Sequence, residues 1–537
     1  MEDDKHKENG KHEMGMRGVT RPMAEKEVRQ HNENMHSDGQ DEHNQHQHKR
    51  GDYQHEEQQH KNGGSHDMNM SEEMREKMLH MHHMQTLWVY WMIIILGAWV
   101  LLSPFTFDYG IGTVQPSGGR TVWLTLDQRI IFMKWSDIIS GALLIFFGWR
   151  GLTPNRPISI WICCFIGVWL TMAPIVFWSP TAVAYLNDTM VGALLIALTI
   201  LIPGMPNMIM YMKMGPDTPP GWSYNPSSWP QRWIMMVLGF VGWIVSRYLA
   251  AFQLGYIESV WDPFFGSQSE QVLNSAMSHS LPVSDAGLGA LAYTFEFLMG
   301  WMGAPTRWRT MPWMVAFFGI LVIPLGMVHI FLVISQPVVV GAWCTFCILA
   351  AVIMIPMIPL EVDEVIAMGQ FMKRKVKQQG ESFWKIFWKG GTVESDEKDE
   401  APAMMKFPQQ PGAVYRSSIW GISFPWTLTV ATLLGATAMA APGVLGVSIH
   451  EPVANVFHLG GALVVVVSVF SMGEPLRLCR YFNILLALVV AAAPWFMQDS
   501  PSSLSITGLI LGLAIAALSL PLGPKTQRYA GWDEYIK

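Results

Sequence analysis

Two cysteines three positions apart, in Trp343-Cys344-Thr345-Phe346-Cys347, are the residues of this chain best placed to do chemistry. A Cys-x-x-Cys pair can close and open a disulfide, moving two electrons each time. The pair lies near the start of an apolar stretch that runs from Val338 to about Met357. On a helix starting at Val338, Cys344 lies about 9 Å from the end and Cys347 about one turn deeper. The spacing puts both sulfurs on one helix face, and a helix N-terminus favours a thiolate. A dithiol at that depth suits exchange with a lipid-soluble electron carrier. The plainer alternative is two small residues used for packing. No second ligand pair is evident, so no metal site is expected there. The other cysteines, Cys163, Cys164 and Cys479, read as small buried apolar side chains. Adjacent Cys163 and Cys164 point apart on a helix and pair poorly.

Ionisable residues inside apolar runs are costly and are the next candidates. His329 stands about five residues, or about 8 Å, from the end of its run, close to the level of the dithiol. It is expected to stabilise a thiolate or donate to a quinone oxygen, or else to be a packed histidine bonded to a backbone carbonyl. Arg247 is read as snorkelling, and Glu296 as pairing with a structural partner. Histidine and methionine also cluster near the N-terminus, as in His66-Asp67-Met68-Asn69-Met70 and His80-Met81-His82-His83-Met84. Imidazole with thioether suits copper, and imidazole alone suits nickel or zinc. The irregular spacing implies no fixed geometry. The tail is read as disordered and polar, with weak metal binding as the functional alternative.

These residues need elements to hold them. The chain has 537 residues, of which 50% are hydrophobic and 15% charged. Apolar runs of about 20 residues match the roughly 30 Å of a bilayer core, and such runs must be helical because lipid cannot satisfy backbone groups. Twelve spans are expected, near 86–103, 136–150, 158–177, 183–203, 231–251, 286–303, 312–334, 338–358, 419–440, 453–472, 480–497 and 503–521. Lys and Arg fall in alternate loops, which places those loops and both termini in the cytoplasm. Arg120, Arg129 and Lys134 are the exceptions. The net charge of -6 says little. Basic clusters are short and flank membrane segments, so no nucleic-acid partner is expected. Residues 1–85 have no apolar core, so no signal peptide is visible.

A repeat runs through the spans. Gly97-Ala98-Trp99 precedes Pro104, and Gly167-Val168-Trp169 precedes Pro174, both as G-x-W-x4-P. Asp137-x3-Gly141 and Asp188-x3-Gly192 open the returning helices, and weaker echoes occur at Gly435/Pro442 and Ala487/Pro494. Small residues let helices approach closely. The pattern resembles the SPW-repeat family of bacterial membrane proteins, with Ser103-Pro104 and Ala173-Pro174 where that family has Ser-Pro. That resemblance implies a membrane fold and no particular chemistry. The expected organisation is a tail at 1–85, two hairpins at 86–205, a central block at 231–358, a cytoplasmic linker at 361–418, two more hairpins at 419–523 and a cytoplasmic tail at 524–537. Within the linker, Phe383 to Lys389 suits an interfacial helix and Glu394 to Glu400 suits disorder.

The central block resembles the vitamin K epoxide reductase family. Besides the dithiol, it carries Trp261-Asp262-Pro263-Phe264-Phe265-Gly266, then Val272-Leu273-Asn274-Ser275, then Pro282-Val283-Ser284-Asp285 leading into Gly289 to Tyr293. The resemblance implies a four-helix bundle holding a quinone (menaquinone or ubiquinone) beside the dithiol. Cys347 would be the deeper, quinone-facing sulfur and Cys344 the sulfur that exchanges with a donor. Ser275 matches a loop position near the family's catalytic centre, and Asp285 falls near a polar position that binds the quinone in some members. The chain departs from the family in two ways. Residues 252–285 hold no cysteine, and Ser269 stands where the second loop cysteine would fall. Ala351 likewise stands where some members have tyrosine near the quinone.

The expectation is therefore an all-α integral membrane protein of about twelve helices, with a quinone-reductase-like bundle between repeated hairpins. Its expected activity is thiol–disulfide oxidoreduction coupled to a quinone, with an external thioredoxin-like dithiol protein as partner and the bacterial inner membrane as location. The competing expectation is a non-enzymatic scaffold or metal-responsive protein that has lost the cysteine relay.

Overall fold

Apolar runs become helices throughout. The computed structural model describes residues 72–154, 156–202, 215–393, 411–498 and 500–536. Lys77–Lys537 forms one compact unit and Met1–Glu76 another. Two hairpins come first: α1 (Glu72–Thr106), α2 (Leu126–Gly151), α3 (Pro157–Val176) and α4 (Ala182–Ile200). The central block is α5 (Trp229–Gln253), α6 (Asp285–Trp301), α7 (Pro312–Val339) and α8 (Thr345–Lys373). Two more hairpins follow, α9 (Trp426–Val444) with α10 (Pro452–Met472), and α11 (Phe482–Phe496) with α12 (Ser502–Ser519). Eleven of these segments are long and apolar enough to cross a membrane. The remaining one, α6, has 17 residues and is about 25 Å long. Among the described residues there are no strands, only the isolated bridges Trp222–Tyr529 and Ile422–Gly473. The chain is an all-α, multi-pass integral membrane protein.

Several boundaries differ from the sequence expectation. α1 begins at Glu72, so residues 72–85 are helical and not a disordered tail; Glu, Lys, Met and Arg there are strong helix formers. The His66–Met70 cluster lies outside the described residues, as does the acidic run after Val393. α2 begins ten residues early, at Leu126. The Thr125 side chain caps the Gln128 N–H while the Gln128 side chain caps Thr125, a reciprocal box. α7 continues to Val339, and α8 starts only at Thr345. Gly341, at φ +72°, turns the chain between them. α8 then runs on to Lys373, so residues 361–373 are helix and not linker.

The repeat is a packing device. A Cβ on Gly141 would stand 2.5 Å from the Leu101 backbone nitrogen, and one on Gly192 2.6 Å from the Gly167 carbonyl. The later hairpins cross in the same way: a Cβ on Gly461 would stand 2.5 Å from the Gly435 carbonyl, and Gly512 lies against Ala487. The tryptophans of the first pair are reciprocal. Trp99 donates to Asn187 (2.7 Å), just before Asp188, and Trp169 donates to Ser136 (2.9 Å), just before Asp137. Each hairpin thus bonds to the other's return helix, one residue before its aspartate.

Two of the arginines that broke the loop-charge pattern are structural. Arg129 is buried and donates to the carbonyls of Trp178 (2.6 Å), Val114 and Ser179. Arg120 donates to the carbonyls of Ser278, Leu281 and Val283 and stacks 4.8 Å over Trp178. Both cap backbone groups of the loops that border the central block.

At the opposite, basic face, the end of α8 is clamped by charge. Arg307 holds Glu364 through one guanidinium edge, Nε and Nη2, at 2.6 and 2.5 Å, and Ser227 donates to the same carboxylate (2.5 Å). Both ionic side chains are buried. The C-terminal segment folds back onto this face. Thr526 and Gln527 donate backbone N–H groups to Glu474 at 2.8 and 3.0 Å, and the Tyr529 hydroxyl adds a third bond at 3.0 Å.

Candidate functional site

The dithiol sits at the start of α8, not a turn and a half into it. Cys344 is the N-cap residue, in extended conformation, and its sulfur accepts the Cys347 N–H at 3.2 Å. Both are free thiols. Hydrogen bonding from the Cys347 side chain holds the Cys344 thiol below its ordinary range. Burial opposes this, and Ser269 and the Cys347 N–H add to it. Cys347 has Gln336 of α7 and Asp285 of α6 as further polar neighbours. Cys344 is fully buried and Cys347 half-buried.

What buries Cys344 is the loop between α5 and α6, and Asp262 holds that loop down. Its carboxylate accepts the N–H groups of Phe264 (2.9 Å) and Phe265 (2.8 Å), the hydroxyl of Ser269, and both the N–H (3.0 Å) and hydroxyl (2.5 Å) of Thr345. Burial alone would raise its pKa, but these bonds hold it well below the usual carboxylate range. Aromatic contacts complete the cover: Phe265 stacks on Trp343 at 5.9 Å, and Phe346 lies against Tyr248 at 5.2 Å. Gln268 accepts the Trp343 N–H at 3.0 Å. From α10, His458 meets Trp343 edge-on at 4.8 Å. Cys163 is buried against α1–α4 neighbours, and Cys164 and Cys479 are half-buried.

A cavity of about 350 Å³ is walled by Leu281, α6, α7 and Met354 of α8; neither cysteine is in its wall, and Asp285, which is, lies within electrostatic reach of Cys347. Its lining is apolar except for Asp285, Tyr293, Glu296 and His329. Asp285 marks the dithiol end. It accepts from Gln253 (2.5 Å) and Ser278 (2.9 Å), and Gln253 in turn accepts from Ser284 (2.6 Å). Tyr293 crosses to α8 and donates to the Ala350 carbonyl at 3.1 Å, next to Ala351.

The sequence-derived residues do not all converge. Cys344 and Cys347 are bonded to each other, and Asp285 lies within electrostatic reach of Cys347. Ser275 shapes the preceding turn, donating to the Val272 carbonyl (2.7 Å) and accepting the Ser278 N–H (3.3 Å), and is not part of the cavity wall. His329 is not at dithiol level. Because α7 runs to Val339, it stands ten residues from the helix end, about 15 Å. It lines the cavity beside Tyr293, with ring centroids 6.3 Å apart. Glu296 has no structural partner; it faces the same cavity. Asp262, Gln253 and Gln336 were not singled out from sequence. Their partners come from distant segments, and the only local sign was a polar residue at the end of an apolar run.

The described residues hold no group of three or more His, Cys, Asp or Glu suited to a metal ion. Residues 233–362 match the model of the Vitamin K epoxide reductase family, and residues 87–202 that of the SPW repeat domain. No curated protein and no solved structure matches the chain. A vitamin K epoxide reductase domain points to membrane thiol–disulfide oxidoreduction.

Proposed function

We propose that the chain couples a Cys344–Cys347 dithiol to a lipid-soluble quinone, closing a disulfide as the quinone becomes hydroquinone. The observation that carries this is a hydrogen-bonded thiol pair at the head of α8 within electrostatic reach of Asp285, which itself lines a ring-sized, largely apolar cavity. Cavities that hold small ligands begin at about 300 Å³ and combine apolar walls with few polar groups. Asp285, held by Gln253 and Ser278, would orient the ring at the dithiol end, with Ser275 shaping the turn that presents it. Tyr293 supports α8 at Ala350 and gives the cavity an aromatic hydroxyl. His329 belongs to the deeper wall.

The quinone supplies the two-electron acceptor. The rest falls to the protein. The Cys347 N–H and the helix N-terminus stabilise a thiolate on Cys344. Cys347, deeper and beside Asp285 and Gln336, faces the acceptor. Together the sulfurs lose two electrons and two protons as the S–S bond forms, and the acceptor gains the same. To run again, the disulfide needs an external dithiol. With Ser269 in place of a loop thiol, that donor must reach Cys344 itself, so the Asp262-held loop must open.

A second reading, a scaffold without turnover, is favoured by one observation: Cys344 is fully buried under a loop that has no relay cysteine. A stoichiometric reaction separates the two. Reduced protein mixed with a short-chain quinone, without other reductant, is expected to form one hydroquinone per chain and to lose the Cys344 and Cys347 thiols together. Retention of both thiols supports the scaffold.

A further inference from the structure

The deep end of the cavity holds a polar pair that the chemistry above does not use. Glu296 on α6 is fully buried, and neither carboxyl oxygen has a hydrogen-bond partner. Across the cavity on α7, the His329 Nε2 is also buried without a partner. Burying polar groups unpaired is costly, and each exception asks for an explanation. Glu296 is eleven residues from Asp285 on α6, about 16 Å, so the cavity has two polar ends. An isoprenoid tail lying at the deep end would leave both groups unsatisfied.

The chemistry of the pair narrows its ligand. No Lys or Arg lines the cavity and two carboxyl groups do, which disfavours anions. A carboxyl and an imidazole together offer an acceptor and a group that donates or accepts according to its tautomer. A hydroxyl both donates and accepts, so it satisfies them in every protonation state. A carbonyl oxygen only accepts.

We propose that Glu296 and His329 form a second subsite, at the cavity end away from the sulfurs, that binds the aromatic hydroxyl of the hydroquinone in preference to the quinone carbonyl. The proposal rests on the quinone reading above and deepens it. No covalent bond changes there; the reduced ring exchanges hydrogen bonds at the dithiol end for hydrogen bonds to Glu296 and His329. The dithiol end is thereby cleared for the next oxidised ring.

The test is binding to the full chain in detergent with Cys344→Ser and Cys347→Ser combined, so that no turnover occurs. A ubiquinone with one isoprene unit and its hydroquinone, kept under argon, are each titrated by calorimetry. The hydroquinone is expected to bind about tenfold more tightly, the effect of one well-made hydrogen bond. Glu296→Leu and His329→Leu are each expected to bring the two forms within about twofold, and Glu296→Gln to retain most of the preference. If Glu296→Leu does not fold, His329→Leu carries the same prediction. Equal binding in the double-serine protein, or a preference that survives the leucine variants, overturns the subsite. If neither form binds while the wild-type chain still turns over quinone, the subsite alone fails. If neither binds and the wild type has no quinone turnover, the quinone reading itself fails.

Discussion

Asp262→Ala should expose Cys344. The carboxylate takes five hydrogen bonds, and two of them, from the N–H and hydroxyl of Thr345, join the loop to α8. A hydrogen bond to a charged group contributes about 1.5–3 kcal/mol net, so losing these two weakens loop closure by at least about 3 kcal/mol. That corresponds to roughly 100-fold more of the open form. Cys344 is fully buried when the loop is closed, so its alkylation by N-ethylmaleimide reports the open fraction. Peptide mass spectrometry would follow the rate at this one cysteine. The expected order is wild type slowest, Asp262→Asn intermediate, and Asp262→Ala about 100-fold faster. The pH dependence has a definite sign. Because the folded-state pKa of Asp262 is depressed below the ordinary 3.8, the clamp is at full strength above that value. It weakens only as pH falls through the depressed one. Above about pH 5, then, any rise of rate with pH belongs to the thiol and not to the clamp. A rate in Asp262→Ala within threefold of wild type would refute the role given to this carboxylate.

Other consequences are as direct. In a Cys347→Ser background, Ser269→Cys should place a sulfur against Cys344, and mild oxidation should then consume two thiols as a cross-link; an unchanged thiol count would contradict the Ser269–Cys344 proximity. Gly192→Leu drives a side chain into the Gly167 carbonyl and should cost about 1–3 kcal/mol, read as a lower thermal midpoint, while an exposed control such as Leu194→Ala should not. Arg307→Ala strands a buried Glu364 and should cost about 3–5 kcal/mol, with partial recovery when Glu364→Leu is added; equal stability of all three would show that the pair is dispensable.

Much of the fold was legible because membranes leave few options. Run length gave the helices, and the small residues of G-x-W-x4-P marked where hairpins cross. The dithiol was legible as a motif. Its depth was not: Val338, Val339 and Val340 are apolar and read as the start of a helix, whereas Gly341 and the turn at 340–344 set the real start at Thr345. The same shift moved His329 away from the sulfurs and onto the wall of the cavity that Glu296 also lines. The acids Glu361, Asp363 and Glu364 read as the exit to a linker because their partners, Arg307 for Glu364 and Tyr224 for Asp363, are far away in sequence. Asp262 was hidden for the same reason. A loop aspartate before proline looks like a turn residue until the fold brings Thr345 to it.

Reduction of a quinone by the two sulfurs at the head of α8 is directly measurable. Purified protein in detergent, with dithiothreitol and a water-soluble quinone, would be followed for hydroquinone formation in wild type and in Cys347→Ser. Turnover in wild type that is lost in Cys347→Ser is the predicted result. Equal rates in the two proteins would contradict it.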